Sequence, residues 1–172
     1  MNDAAGFAVL FVCLGNICRS PTAEGVFRVL VAQAGLGERI RVDSAGIGDY
    51  QVGSAPDRRA IQAARRRGYD LTGLRARQVA ADDFVRFDWI LAMDRANLRV
   101  LEAMKPREFG GHLGLFLDLA PAAGLREVPD PYHGGLHGFE QVLDLVEHAS
   151  AALVIRVRDR LSAVGKSGTR GQ

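Results

Sequence analysis

One segment near the amino terminus limits what this chain can fold into more than any other. Residues 7–12 are an apolar run that predicts a buried strand. A short loop follows between Cys13 and Arg19, and Ser20 and Pro21 open a run with helical periodicity. A strand, a loop and a helix in this order turn backbone N–H groups toward one point, beside the positive end of the helix dipole. The segment therefore predicts a site that binds a tetrahedral oxyanion next to a thiol.

Apolar runs and helical periodicity alternate along the rest of the chain. Further strands are predicted over residues 39–45, 88–93 and 113–117, with a short extended piece over residues 76–79. The predicted helices end near Gly35, Gly68 and Pro106, and a long closing helix runs through residues 139–161. This alternation predicts an α/β three-layer sandwich, in which helices flank a four-stranded parallel sheet. The loop after the first strand then lies at the carboxyl edge of the sheet, where such folds bind ligands.

Length, charge and cysteine content limit the number of domains, the kinds of partner and the cellular location that can be expected. The 172 residues are most simply one domain, residues 1–172, with an ordered core over about residues 6–163. The net charge of +2 gives no strong field, so no nucleic-acid partner is expected. The apolar run at the start is too short to cross a bilayer, so no membrane span is expected. Two closely spaced cysteines form no disulfide framework, and a reducing cytoplasm is the expected location.

The loop that follows the first strand has the residues needed to curl around an anion. Gly15 and Asn16 can both adopt positive φ, which such a curl requires. Ser20 is predicted to cap the following helix, and Pro21 suits the first helical position. The helix dipole would then point at the bound anion.

Two side chains of this loop have the chemistry for nucleophilic attack on phosphorus. Cys13 is the predicted nucleophile, because the inward N–H groups, the helix end and Arg19 favour its thiolate. Arg19 is predicted to grip two phosphoryl oxygens and to stabilise their charge in the transition state, which lysine cannot do with the same fork. Ser20 lies close enough to donate a hydrogen bond to the thiolate. Cys18 keeps two interpretations: a packed side chain, or a redox partner that joins Cys13 in a disulfide under oxidant.

Residues 12–21, VCLGNICRSP, resemble the phosphate-binding loop of the low-molecular-weight protein tyrosine phosphatases. The resemblance extends from about residue 10 to residue 161. The further motifs that match the family, in order, are Asp43-Ser44-Ala45-Gly46, Ala76-Arg77-Gln78, Ala92-Met93-Asp94 and Asp130-Pro131-Tyr132. The resemblance implies a flavodoxin-like fold with strand order 2-1-3-4.

The same resemblance implies hydrolysis of phosphotyrosine in proteins, and of small aryl phosphates, through a phosphocysteine intermediate. Cys13 would attack phosphorus, and Asp130 would protonate the leaving phenolate and later deprotonate the attacking water. Without the family, Asp130 and Pro131 would indicate only a turn. Neither a metal nor a cofactor is required, because Arg19 and the N–H ring stabilise the charge. Phosphotyrosine proteins are the expected partners, with a cognate bacterial tyrosine kinase as a candidate.

The resemblance also assigns the residues around the reacting group. Those predicted to bind phosphate are Leu14, Gly15, Asn16, Ile17, Cys18 and Ser20, with Ser44 supporting them. Tyr50, Tyr132 and His133 are the predicted rim of a deep cleft, which admits a phosphotyrosine ring and keeps the shorter phosphoserine from Cys13. Ile17 argues against a protein-arginine phosphatase, because enzymes of that kind resembling this family have a threonine there.

Two positions depart from the family pattern. Leu74 stands where the family often has a histidine, so a thinner hydrogen-bond network is expected around Asn16, Ser20 and Ser44. His133 stands where the family commonly has a second tyrosine. It either titrates at the mouth of the cleft or is an ordinary exposed histidine.

Three rival functions have less support from the sequence. Arsenate reductases share the opening loop but relay a disulfide through later cysteines, and no cysteine follows the loop here. Gly165-Lys166-Ser167 lacks the earlier glycine of a nucleotide-binding P-loop, since Arg160 stands in its place. A silent phosphotyrosine-binding module or a redox sensor is disfavoured because Cys13, Arg19 and Asp130 are all present.

Overall fold

A parallel sheet forms the middle layer of the protein. The computed structural model describes residues 6–121 and 124–167. The strands within these ranges are β1 (Phe7–Cys13), β2 (Ile40–Gly46), β3 (Trp89–Ala92) and β4 (His112–Leu115). They pair in parallel in the order β2-β1-β3-β4. The predicted α/β class and the strand order 2-1-3-4 are therefore confirmed.

Helices cover both faces of this sheet. They are α1 (Arg19–Gln33), α2 (Arg58–Arg66), α3 (Asp83–Arg86), α4 (Arg95–Met104) and α5 (Leu136–Ser167). Successive side chains of a strand point to opposite faces, so β1 supplies both hydrophobic cores. Val9 and Phe11 pack with residues of α1, α2 and α5 on one face. Leu10 and Val12 pack with residues of α3 and α4 on the other.

The last strand is shorter than its sequence predicts. A strand over residues 113–117 is wrong for its final two positions, because Phe116–Leu119 form a 3₁₀ turn. Phe116 and Leu117 are fully buried in that turn, among the residues that pack with α5. An apolar run reports burial but does not distinguish a strand from a buried turn. The one-turn helix α3 is too short to show helical periodicity, and the sequence did not predict it.

The start of α1 also differs from the prediction. The helix begins at Arg19 with Cys18 at the N-cap position, and the cap makes no side-chain hydrogen bond. Ser20 is therefore the second helical residue rather than the cap, and Pro21 is the third. The hydroxyl of Ser20 contacts loop side chains instead of the backbone N–H groups of the first turn.

The two ends of the chain add little to this description. The residues outside the predicted ordered core of about 6–163 lie largely outside the described residues, although α5 continues as far as Ser167. Among the helices of residues 6–121 and 124–167, none combines the length and the apolar character needed to cross a membrane.

Candidate active site

The loop between β1 and α1 curls at the carboxyl edge of the sheet. Asn16 has φ of 57°, the left-handed conformation that the curl requires, whereas Gly15 does not adopt positive φ. The expectation for Gly15 is therefore wrong, and that for Asn16 is confirmed. The loop is tied to neighbouring backbone, since Asp57 N–H donates to the Ile17 carbonyl at 2.8 Å. Gly48 N–H likewise donates to the Leu14 carbonyl at 2.9 Å.

The sulfur of Cys13 lies on the floor of this curl. The residue is only 2% exposed. The backbone N–H of Asn16 donates to Sγ at 3.3 Å, and the hydroxyl oxygen of Ser20 lies 3.0 Å from Sγ. Donors aimed at sulfur stabilise a thiolate, which is the nucleophilic form of cysteine.

Arg19 lies buried opposite the sulfur and is held from two directions. Its Nη1 donates to Asp94 Oδ2 at 2.7 Å and to the Val128 carbonyl at 3.0 Å, while Nη2 lies 3.5 Å from Asp130 Oδ2. Burial alone would lower the pKa of Arg19, but the negative charges of Cys13, Asp94 and Asp130 outweigh it and raise the pKa. The guanidinium is thus a fixed positive charge beside the thiol.

A buried hydrogen-bond network supports the loop from below. Asn16 Nδ2 donates to the hydroxyl oxygens of Ser20 at 2.8 Å and Ser44 at 2.9 Å. The hydroxyl of Ser44 donates to Glu24 Oε1 at 2.7 Å, and Asn16 Oδ1 accepts from the Arg77 N–H at 3.0 Å. Asn16 thus has polar partners for both ends of its amide. A thinner network was expected around Asn16, Ser20 and Ser44 because no histidine is present. In the structure this network ends at the carboxylate of Glu24.

Leu74 makes no polar contribution to that network. It is partly buried and packs against the hydrophobic core that contains α1, α2 and α5. The position where the family often has a histidine is therefore filled by an apolar contact in this chain.

Asp130 lies at the edge of the site with its side chain 42% exposed. Its Oδ1 accepts a hydrogen bond from the Tyr132 N–H at 3.1 Å, while Oδ2 is the atom that faces Arg19. One oxygen is thus held by the backbone of its own turn, and the other points toward the thiol loop. The carboxyl group is placed where it could exchange a proton with a group bound over Cys13.

Cys18 is buried beside the first turn of α1. Its burial, and next the negative charge of Asp57, raise the pKa of the Cys18 thiol to about 12. Cys13 and Cys18 are both free thiols in this structure. Cys18 is therefore a protonated, poorly nucleophilic thiol near neutral pH. Its part in a disulfide with Cys13 stays a prediction.

A cavity of about 320 Å³ opens above Cys13. Its lining consists of Cys13, Leu14, Gly15, Ile17, Cys18, Arg19, Tyr50, Gln51, Asp130, Tyr132 and His133. The structure thus brings together the predicted nucleophile, acid and rim residues. Asn16, Ser20 and Ser44 are buried and do not line the cavity. The rings of Tyr132 and His133 meet edge to face at 5.0 Å between centroids.

Sequence reasoning missed several residues of this site. Asp94 was noticed only as part of a motif, yet it bonds Arg19 through Oδ2 and caps α4 by accepting from the Asn97 N–H through Oδ1. An acidic residue directly after a buried strand and before a helix was the available signal. Glu24 and Gln51 gave no such signal, because the bond from Ser44 to Glu24 and the place of Gln51 in the cavity depend on segments far apart in the sequence.

Known proteins with similar sequences belong to one phosphatase family. The sequence matches the family described as low molecular weight phosphotyrosine protein phosphatase over residues 8–163. It is 42% identical to the low molecular weight protein-tyrosine-phosphatase YfkJ of Bacillus subtilis, over 88% of this chain and 96% of that protein. It is also 42% identical to the human low molecular weight phosphotyrosine protein phosphatase, over 83% of this chain and 90% of that protein.

A solved structure agrees with these sequence relatives. The crystal structure of a protein tyrosine phosphatase from Entamoeba histolytica, with Hepes in its active site, superposes with a TM-score of 0.85. The two sequences are 37% identical, and the match covers 90% of this chain and 98% of that one. The chain belongs to the low-molecular-weight protein tyrosine phosphatase family.

Proposed function

We propose that this protein hydrolyses phosphotyrosine in proteins, and small aryl phosphates, through a phosphocysteine intermediate. The observation that carries the proposal is the convergence of Cys13, Arg19 and Asp130 around one cavity. The Asn16 N–H and the Ser20 hydroxyl lie within 3.3 Å of the sulfur, and Arg19 Nη2 and Asp130 Oδ2 lie 3.5 Å apart beside it. A nucleophile, a fixed cation and a carboxyl group in reach of one another are what phosphoryl transfer needs.

In the first step the thiolate of Cys13 attacks phosphorus and forms an S–P bond while the P–O bond to the phenol breaks. In the described part of the chain, Nε and Nη2 of Arg19 donate no hydrogen bond, so this edge is available for two phosphoryl oxygens. The backbone N–H groups of Leu14, Gly15, Ile17 and Cys18 complete the oxyanion site in this proposal. Asp130 gives its proton to the leaving phenolate oxygen.

In the second step water attacks phosphorus, the S–P bond breaks, and inorganic phosphate leaves. Asp130, now ionised, takes a proton from the water. The hydroxyl of Ser20, 3.0 Å from sulfur, stabilises the departing thiolate. The sulfur returns to its starting charge, and Asp130 to its starting protonation.

The depth of the cavity supports selection of phosphotyrosine. Cys13 is almost fully buried, while Tyr50 is 63% exposed and Tyr132 is 43% exposed at the mouth. A flat ring can pass between these aromatic walls and place its phosphate on the floor. A phosphoserine side chain is too short to reach the sulfur without bringing peptide backbone into the cavity.

The setting of the enzyme is part of the same proposal. A tyrosine kinase of the same cell would supply phosphotyrosine proteins as substrates. A reducing cytoplasm suits a mechanism that needs Cys13 as a free thiol, as it is in this structure.

Replacement of the nucleophile tests the proposed function. The variant Cys13→Ser should lose hydrolysis of p-nitrophenyl phosphate, because a serine hydroxyl in this loop is a far weaker nucleophile. Its Tm should still rise with added inorganic phosphate, which shows that the loop is folded. Continued turnover by the variant would rule out the thiolate mechanism.

A panel of phosphopeptides tests the substrate class. The wild-type protein should release phosphate from phosphotyrosine and spare phosphoserine and phosphoarginine peptides of the same sequence. Preferential cleavage of phosphoarginine would make phosphoarginine the substrate and would contradict the argument from Ile17.

A further inference from the structure

In the described residues, one side chain from outside the turn that carries Asp130 makes hydrogen bonds to the backbone of that turn. We call residues 130–134 the acid loop. Arg59 Nη2 donates to the Tyr132 carbonyl at 2.9 Å, and Arg59 Nη1 donates to the Gly134 carbonyl at 3.2 Å. Across residues 6–121 and 124–167, no other residue outside the acid loop makes a hydrogen bond to its backbone. Arg59 is therefore the hydrogen-bonded anchor of the acid loop backbone, in addition to the buried Pro131 and the ion pair between Arg19 and Asp130.

Arg59 is itself fixed in place. Its Nε donates to Asp57 Oδ1 at 3.0 Å and its Nη2 to Asp57 Oδ2 at 2.9 Å, which is a two-point contact. The guanidinium also lies over the rings of Phe139, at 4.6 Å from the centroid, and Tyr132, at 5.7 Å. Two acceptor oxygens of Asp57 and two aromatic faces define one orientation of the Arg59 side chain.

The same contacts lead back to the thiol loop. Asp57 holds Arg59 through its carboxylate, and its backbone N–H donates to the Ile17 carbonyl at 2.8 Å. Ile17 lies between Cys13 and Arg19 in the curl that forms the floor of the cavity. One residue, Asp57, thus connects the phosphate loop to the side chain that holds the acid loop.

We propose that Arg59 is a positioning residue that holds the acid loop so that the Asp130 carboxyl stands over the phosphate site. The proposal rests on the general-acid role of Asp130 proposed above. Proton transfer needs the carboxyl within hydrogen-bond reach of the leaving oxygen, and a displacement of about 1 Å removes much of its effect. Arg59 does not line the cavity, so in this proposal it acts on proton transfer through the position of Asp130.

Two substrates with different leaving groups can distinguish a positioning role of Arg59 from a role in overall folding. Phenyl phosphate releases a basic phenolate that needs a proton, whereas p-nitrophenolate leaves more readily without one. In the variant Arg59→Ala, kcat/KM should fall about tenfold more for phenyl phosphate than for p-nitrophenyl phosphate. Inhibition by vanadate, which requires only the phosphate loop, should be unchanged.

The neighbouring residue offers a matched control. Arg58 is exposed and its side chain makes no hydrogen bond or ion pair in the described residues, so Arg58→Ala removes the same charge without releasing the acid loop. It should behave like wild type with both substrates. Arg59→Lys keeps the charge but cannot make all of the contacts to Asp57, Tyr132 and Gly134, so it should show a smaller form of the same selective loss. It also serves as the test if Arg59→Ala does not fold.

A double variant decides whether Arg59 works through Asp130. In an Asp130→Ala background, Arg59→Ala should cause no further loss with phenyl phosphate. A further loss there, or an equal loss with both substrates in the single variant, would overturn the positioning role. If Asp130→Ala alone leaves the phenyl phosphate rate unchanged, the role of Asp130 falls first, and that of Arg59 falls with it.

Discussion

Asn16 shows how one residue can shape both the backbone and the surroundings of the thiol. Its left-handed φ turns the loop, and its own N–H donates to Cys13 Sγ. Its side chain spans from Ser20 and Ser44 on one side to the Arg77 backbone on the other. Asparagine is among the few residues other than glycine that tolerate this φ, and glycine would lack the amide. Asparagine at position 16 therefore meets two requirements, the left-handed φ and the hydrogen bonds of the side-chain amide.

Glu24 is the buried end of the same network. Its side chain is 3% exposed, accepts from Ser44 Oγ and pairs with Arg28 at 2.7 Å. Burial raises the pKa of Glu24, and the contacts with Ser44 and Arg28 only partly oppose this effect. The folded protein therefore holds a proton on Glu24 more tightly than the unfolded chain does.

The raised pKa of Glu24 should make the free energy of unfolding depend on pH. Because the folded pKa is raised, the contribution of Glu24 to stability is complete below about pH 4.5, its ordinary pKa, and is lost as pH rises through the folded pKa. The variant Glu24→Gln lacks this loss. Its free energy of unfolding should therefore improve relative to wild type as pH rises above 4.5, measured by urea denaturation between pH 4 and 8.

The surface variant Glu38→Gln is the control for that measurement. It removes a carboxylate that is exposed and outside the network. If Glu24→Gln shows no more pH dependence relative to wild type than Glu38→Gln does, Glu24 is not the titrating group.

The end of β2 meets the thiol loop with almost no space between them. Gly46 pairs with Cys13 in the sheet. A Cβ atom on Gly46 would lie 2.9 Å from the Leu14 carbonyl oxygen and 3.0 Å from the Gly15 carbonyl carbon. These neighbours are backbone atoms, which cannot rotate away as a side chain can. The strand end and the loop therefore constrain each other's position.

The variant Gly46→Ala should lower activity more than stability. The added methyl group pushes the Leu14–Gly15 backbone, so the N–H groups that face the phosphate move away from their best positions. A shift of about 1 Å can cost about a hundredfold in rate. We expect kcat/KM for p-nitrophenyl phosphate to fall at least tenfold. Gly73→Ala, where a Cβ meets nothing within 4 Å, should remain like wild type, and equal kinetics for both variants would contradict this contact.

The elements of the fold were largely predictable because their signals are local. The apolar run of β1 and the periodicity of α1 lie within a few residues, and the alternation of strands and helices predicts the parallel sheet. Periodicity gave no means of separating the buried 3₁₀ turn after β4 from a strand. The positions of Cys13 and Arg19 followed from a short motif. The contacts of Glu24, Arg59 and Asp94 did not, because each joins segments far apart in the sequence.

At the scale of the whole molecule, α5 holds one face of the protein together. It packs along α1 and α2 and contributes Phe139, Val146 and Leu153 to the core. Arg67, just after α2, reaches across to α5 and pairs with Glu140 at 2.7 Å, with Asp144 at 2.9 Å and with Glu147 at 2.9 Å. Burial would lower the pKa of Arg67, but these three carboxylates together raise it.

Loss of this cluster should destabilise the protein in a salt-dependent way. Arg67→Ala should lower the free energy of unfolding by about 1–2 kcal/mol at low ionic strength, more than a single exposed pair gives. The difference should shrink in 0.5 M salt, roughly as screening predicts. Arg65→Ala, which removes an exposed arginine with no ion pair in the described residues, should change stability far less. A loss that is the same at both salt concentrations would assign the effect to packing.

The depth at which Cys13 lies sets the shape of any covalent inhibitor. A reagent must pass the aromatic walls and present its electrophile on the floor of a cavity of about 320 Å³. It therefore has to be slender and anionic at the reactive end and carry its bulk outward. Cys18 lines the same cavity, but burial and the charge of Asp57 raise the pKa of its thiol to about 12, so it is a poor nucleophile near neutral pH. Selective labelling of Cys13 therefore depends first on the width of the reagent and then on its reactivity.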